Sequence, residues 1–128
     1  MSVRAIRGAI TANENTKEEI ASAASILLSE ILKQNGLTAD DLIFILLTAT
    51  EDLTAEFPAS GVRLAGLSSV PVICARELSI EDSLPSTIRA LVLIETEKKP
   101  DEVSHVYLRE AKRLRSRFSE MGNGSDGS

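Results

Sequence analysis

Three residues whose side chains could do chemistry lie close together in the middle of this sequence. Cys74 and Glu77 follow one apolar run, and Arg89 begins the next, which reads RALVLI. Side chains alternate faces along a strand, so Arg89 shares a face with Leu91 and Leu93. A cation on an apolar face is costly unless it is paired. Arg89 therefore has either an acidic partner within the protein or an anionic ligand, and the pattern leaves both open.

A second candidate for anion binding is Arg7, in the alternating segment 3–11. Alternation places Arg7 on a face of small residues, and Gly8 beside it permits close approach of another backbone. Planar guanidinium groups suit bidentate contacts to carboxylates. Arg7 could bind such a group or could be an exposed charge at the end of a strand, and the pattern does not decide between them.

Composition limits the classes of function. The 128 residues carry a net charge of −5, with 43% hydrophobic and 26% charged residues, which is typical of one globular domain. An acidic chain lacks the basic face of a general nucleic-acid binder and is poorly suited to anionic membranes. One Cys and one His exclude an intrachain disulfide and a multi-histidine metal site. With no stretch resembling a signal peptide or a membrane span, we expect a cytoplasmic protein.

The elements that must position these residues indicate an α+β domain. A helix is predicted up to Asn35, with Thr16 as its N-cap, Glu19 completing a capping box, and Gly36 as a left-handed C-cap. The apolar run at 42–49 predicts a strand covered on both faces. The core of the domain is therefore expected to be a sheet packed against one long helix.

The remaining elements are shorter. Strands are predicted at 70–75, from Thr87 to Glu95 or Thr96, and at 103–108, and a short helix after Phe57-Pro58. Residues 1–117 are thus expected to form one domain, a mixed sheet with one long and one or two short helices. The Gly- and Ser-rich residues 118–128 are expected to be a flexible tail. Three arginines are expected to be solvated surface residues: Arg109, Arg113 and Arg117.

Five segments, taken in order, carry a family resemblance. They are IRGAIT at 6–11, TEDL and FPA at 50–59, VPVICARE at 70–77, IRALVL at 88–93 and HVYLREAKRLR at 105–115. The ordered set, which covers residues 3 to about 118, resembles the small, trimeric, monofunctional bacterial chorismate mutases. The resemblance implies three subunits that assemble as a pseudo-α/β-barrel trimer, with active sites in clefts between adjacent subunits.

The resemblance also implies roles for individual residues. Arg7 would grip a substrate carboxylate, Glu77 would accept the ring hydroxyl, and Arg89 would lie on the ether oxygen; these three are the implied catalytic set. Tyr107 would contact a carboxylate. The other implied substrate-binding residues are Phe57, Ala59, Arg63, Ile73, Cys74, Leu114 and Arg115.

The implied reaction is the Claisen [3,3] rearrangement of chorismate to prephenate in aromatic amino-acid biosynthesis. It needs no cofactor, metal or nucleophile, only a substrate held as a chair and a fixed cation at the ether oxygen. The expected partners are chorismate, prephenate and two further copies of the chain, with no nucleic acid and no membrane. Two alternatives remain: a trimeric imine or enamine deaminase on a similar fold, and a non-catalytic small-molecule-binding module.

Overall fold

Five strands and three α-helices make up the described part of the chain, which in the computed structural model is residues 1–118, with side chains to Arg115. The strands are β1 (Ser2–Thr11), β2 (Leu42–Ala49), β3 (Val72–Arg76), β4 (Thr87–Thr96) and β5 (Val106–Tyr107). The helices are α1 (Lys17–Asn35), α2 (Ser60–Leu64) and α3 (Lys112–Phe118). The α+β class with one long and two short helices is confirmed. Within residues 1–118 no helix has the length and apolarity to cross a bilayer.

The strands form one mixed sheet in the order β3-β2-β4-β1-β5. The central strand β4 is antiparallel to both of its neighbours, and the edge strands β3 and β5 are parallel to theirs. Paired residues share a face of the sheet. The register therefore aligns one row of side chains across all five strands: Tyr107, Ala9, Arg89, Thr48 and Ala75.

Helix α1 covers one face of the sheet. The side chains that the sheet buries against it include Ile6, Ile10, Ile45, Leu47, Val92 and Ile94. A Cβ built on Gly8 would lie 2.9 Å from Ile31 Cδ1 and 3.1 Å from the Val106 carbonyl oxygen, so a larger residue here would have to displace its neighbours in the helix and β5. Each fully buried aliphatic side chain stabilises the fold by roughly 1.5–3 kcal/mol. This face is the main core of the domain.

The ends of α1 follow the prediction, with one correction. Thr16 Oγ1 accepts the Glu19 N–H at 3.1 Å, and Gly36 adopts φ 64°. The carboxylate of Glu19, however, accepts the N–H of Asn13 at 2.7 Å, so only the Thr16 half of the predicted capping box forms and the predicted role of the Glu19 side chain is wrong. Glu19 also pairs with Arg109 Nη1 at 2.8 Å, so the prediction that Arg109 is a solvated surface residue is wrong too.

The opposite face of the sheet is only partly covered by this chain. Ala9 is buried there beneath a small cluster formed by Tyr107, Ala111 and Leu114. Further along the same face, Val3 and Ile73 are 55% and 58% exposed. The half-buried residues between them are Phe44, Leu46, Leu91 and Leu93. The prediction that segment 42–49 is covered on both faces is therefore wrong for a single chain.

The last strand is shorter than the predicted segment 103–108. The side chain of Asn35 bonds both the N–H and the carbonyl of Ser104, at 2.7 and 2.9 Å. Side-chain bonds thus replace strand pairing before β5 begins. The predicted tail at 118–128 lies outside the described residues except for Phe118, which ends α3, and the side chain of Arg117 also lies outside them.

Candidate active site

An ion pair between Arg89 and Glu77 lies on the partly covered face. Arg89 Nε donates to Glu77 Oε1 at 3.0 Å and lies 2.8 Å from Oε2. The side chains are 36% and 13% exposed, respectively. The sequence left open whether Arg89 has an internal acidic partner. The structure shows that it has one, and that this partner is itself a predicted site residue.

The ion pair uses only part of the guanidinium group. Within residues 1–115, the contacts of the Arg89 side chain involve Nε, and no hydrogen bond occupies its two terminal nitrogens. Arginine presents five N–H donors in a fixed plane. Arg89 is therefore oriented by Glu77 while most of its donors remain available to a ligand.

Glu77 follows Ile73 and Ala75 at alternate positions, just beyond the end of β3, and therefore lies on the same face of the sheet as Arg89. Its backbone N–H donates to the carbonyl of Ala49 at 3.0 Å, and its side chain turns across β2. There, Thr48 Oγ1 donates to Glu77 Oε2 at 2.8 Å. Thr48 was missed by the sequence analysis. The available signal was a lone hydroxyl within the aliphatic strand IFILLTA, on the face opposite to Leu47.

Other predicted residues come to the same face. Arg7 pairs with Leu91 across β1 and β4, one row from Arg89. Tyr107 follows in β5, is 7% exposed, and packs with Leu114 over Ala9. The fold thus brings together four of the predicted polar or charged groups on one face: Arg7, Glu77, Arg89 and Tyr107. One further predicted residue, Ile73, lies exposed on that face in β3, whereas Arg115, exposed on α3, lines a separate cleft of about 330 Å³ with Gln34, Ser104 and His105.

A second group of predicted residues lies elsewhere, at the β3 edge on the α1 side of the sheet. Phe57 is 71% exposed and borders two clefts of about 450 and 410 Å³. Cys74 lines the first, whereas Ala59 and Arg63 line the second. Among the described residues, the linings of these two clefts include neither Arg89 nor Glu77. Within one chain, the predicted site residues are therefore divided into two separate groups.

The thiol of Cys74 faces the core side of β3. Burial raises its pKa above the ordinary value, although a hydrogen bond from the backbone of Ala59 acts in the opposite direction. A raised pKa keeps the thiol protonated at neutral pH, and the protonated form is a poor nucleophile. A raised pKa on the core side of β3 therefore disfavours covalent chemistry at Cys74.

Residues 3–118 match the family model described as chorismate mutase type I. The chain belongs to the chorismate mutase type I family. It is 48% identical over 114 residues to the chorismate mutase AroH of Thermus thermophilus, covering 88% of this chain and 93% of the relative. It is 39% identical over 124 residues to the chorismate mutase AroH of Bacillus subtilis strain 168, covering 96% and 98%.

A solved chorismate mutase has the same fold. The structure from Clostridium thermocellum superposes with a TM-score of 0.84 at 42% identity, covering 86% of this chain and 98% of that one. The resemblance found in the sequence is thereby confirmed. The chain has the activity of its family: it is an isomerase that converts chorismate to prephenate in aromatic amino-acid biosynthesis.

Proposed function

We propose that this chorismate mutase works in the cytoplasm as a homotrimer, with Arg89 as the cation at the ether oxygen of chorismate in a site shared by two subunits. The observation that carries the proposal is that Glu77 holds Arg89 through Nε alone, on the central strand. An arginine oriented in this way presents a planar edge of donors to a ligand. The unpaired Cys74 suits a reducing compartment.

To catalyse the rearrangement, a protein needs only to orient the substrate and to place a positive charge beside its ether oxygen. Chorismate is a flexible dianion, and holding it as a compact chair removes much of the entropic part of the barrier. Negative charge grows on the ether oxygen as the C–O bond breaks. A fixed guanidinium stabilises this charge more in the transition state than in the ground state. Because Glu77 already compensates the burial of Arg89, the protein need not reorganise during the reaction.

The neighbouring groups account for the rest of the substrate. Arg7, one row from Arg89, would hold one carboxylate, with Tyr107 contributing a phenol hydroxyl from β5. Glu77 has acceptor capacity left beyond its bonds to Arg89 and Thr48, and would accept the ring hydroxyl. The positively charged arginines would therefore bind the carboxylates of chorismate. The negatively charged Glu77 would accept a hydrogen bond from its ring hydroxyl.

Two features of the single chain support the shared site. The face that carries Arg89 leaves Val3 and Ile73 more than half exposed, and an exposed apolar patch of this kind is typical of an interface. The second group of predicted residues, which includes the exposed Phe57 and Arg63, lines clefts that include neither Glu77 nor Arg89 among the described residues. Assembly would place the β3 edge against the Arg89 face of an adjacent subunit.

The direct test is to add chorismate to the purified protein and to follow its conversion to prephenate. We expect turnover by the wild type and none above background by Arg89→Ala. An imine substrate, assayed in parallel, should not be deaminated, since deamination would favour the alternative enzyme on a similar fold. Light scattering should give the mass of three chains, and an active monomer would contradict the shared site.

Replacing Thr48 with valine is expected to lower kcat/KM by roughly 10- to 150-fold, because a hydrogen bond to a charged group contributes roughly 1.5–3 kcal/mol. The change keeps the shape of the side chain but removes the donor that bonds Glu77 Oε2 at 2.8 Å. Steady-state kinetics would measure the loss. The matched control is Thr48→Ser, which retains the hydroxyl and should stay close to wild type; equal losses in both variants would contradict a role through this bond.

A further inference from the structure

A hydrogen bond joins the backbone of Arg7 to the side chain of His105. The Arg7 N–H donates to His105 Nδ1 at 2.9 Å. A nitrogen that accepts a hydrogen bond carries no proton, so in this arrangement the imidazole is neutral and bears its proton on Nε2. The only histidine of the sequence is thus engaged with the backbone of a residue in the proposed site.

The position of this bond in the sheet explains why it matters for the backbone of Arg7. Pairing between β1 and β5 begins at Gly8 and Val106, so Arg7 is the first residue of β1 beyond the end of that ladder. Past the other end of β5, a backbone bond joins the Leu108 N–H to the Ala9 carbonyl at 2.9 Å. The imidazole nitrogen therefore stands where a longer β5 would supply a carbonyl acceptor. It fixes the backbone of Arg7 on the side away from β4.

The segment that carries His105 is attached to the end of helix α1. The preceding residue, Ser104, is bonded at both its N–H and its carbonyl by Asn35, which ends α1 and is 2% exposed. Two residues after His105 comes Tyr107, on the site face. One short segment thus connects the rigid end of α1 to two of the proposed substrate-binding residues, Arg7 and Tyr107.

We propose that His105 is a positioning residue for the rearrangement, acting through Arg7. The inference rests on the proposed role of Arg7 in gripping a substrate carboxylate. A long side chain gives a short, directed contact only if its backbone is fixed, because displacement of the main chain moves the guanidinium group with it. Loss of the imidazole acceptor should therefore weaken the carboxylate contact, which acts on the affinity for chorismate more than on the rearrangement itself.

The first variant is His105→Ala, assayed by steady-state kinetics with chorismate. Loss of a hydrogen bond worth about 1 kcal/mol predicts that KM rises roughly five- to tenfold, with kcat changed less than about threefold. His105→Asn places an amide oxygen near the position of Nδ1 and should recover most of the loss. If the alanine variant does not fold, His105→Phe takes its place, since it keeps a ring and removes the acceptor.

A double-mutant cycle with Arg7→Ala separates positioning from general stability. If His105 acts through Arg7, His105→Ala should have no further effect on KM in the Arg7→Ala background. The control for lost stability is Thr16→Ala, which removes the N-cap of α1 and should lower Tm while leaving KM unchanged.

Different results would contradict the proposed role of Arg7 and the proposed role of His105. An unchanged KM for Arg7→Ala would overturn the role of Arg7 and, with it, that of His105. A raised KM for Arg7→Ala together with an unchanged KM for His105→Ala would overturn the role of His105 alone. Additive losses in the double variant, or no recovery with asparagine, would reduce His105 to a structural residue and would overturn the inference as well.

Discussion

Replacing Arg89 with lysine is expected to lower kcat by about 10²–10³-fold, the usual loss when one donor to a developing oxyanion is removed. Lysine keeps the positive charge, so a long-range electrostatic role would survive the change. In the native protein, however, Nε bonds Glu77 while the two terminal nitrogens stay unoccupied within residues 1–115. The lysine side chain is shorter and ends in one ammonium group. It cannot pair with Glu77 and at the same time donate, as the planar guanidinium can, to both the ether oxygen and a carboxylate.

Measuring kcat and Tm on the same purified variant distinguishes this role from a purely structural one. If Arg89 only neutralises Glu77, lysine should lower Tm and leave kcat nearly intact. A variant with wild-type turnover would end the assignment of Arg89 as the catalytic cation. The matched control is Arg113→Lys, since Arg113 is 73% exposed and pairs only with Glu110 among the described residues, so both quantities should stay unchanged.

Mixing two inactive variants is expected to restore activity. In the proposed trimer, each site takes Arg89 from one subunit and Arg63 from the next, so neither Arg63→Ala nor Arg89→Ala alone provides a complete site. In random trimers from an equal mixture, about a quarter of the sites would receive both native arginines. The activity should therefore rise to roughly that fraction of wild type, well above either variant alone.

The experiment requires exchange of subunits, which co-expression or refolding of the mixture provides. The matched control mixes Arg89→Ala with Glu77→Ala. Both residues belong to the same group on one chain, in direct contact at 2.8 Å, so no hybrid interface would contain an intact pair. Recovery in that control, or no recovery in the Arg63 mixture, would contradict a site shared between subunits.

Local patterns in the sequence predicted the elements and the faces they present. Alternation placed Arg89 with Leu91 and Leu93 on one face of β4, and the register agrees. Thr16 and Gly36 marked the ends of α1, because capping depends on residues within one turn. The ordered motifs were enough to indicate the family, since together they span most of the chain.

Contacts between distant residues did not follow from those patterns. The Arg109–Glu19 pair joins residues far apart in sequence, and the local composition around Arg109 read as surface. The bond from Arg7 to His105 depends on where β5 begins, just after the residue that Asn35 bonds from the end of α1. Local periodicity carries no information on such pairings, because they follow from how elements pack.

The sequence by itself predicted an α+β domain with arginines on a sheet face, and its ordered motifs indicated the chorismate mutase family. It could not determine that Glu77 is the partner of Arg89, or that Thr48 holds Glu77. Those contacts depend on the register in which β3 pairs with β2, which in turn pairs with β4. A shift of one residue would turn Thr48 to the other face, and only the packing of the whole sheet on α1 fixes that register.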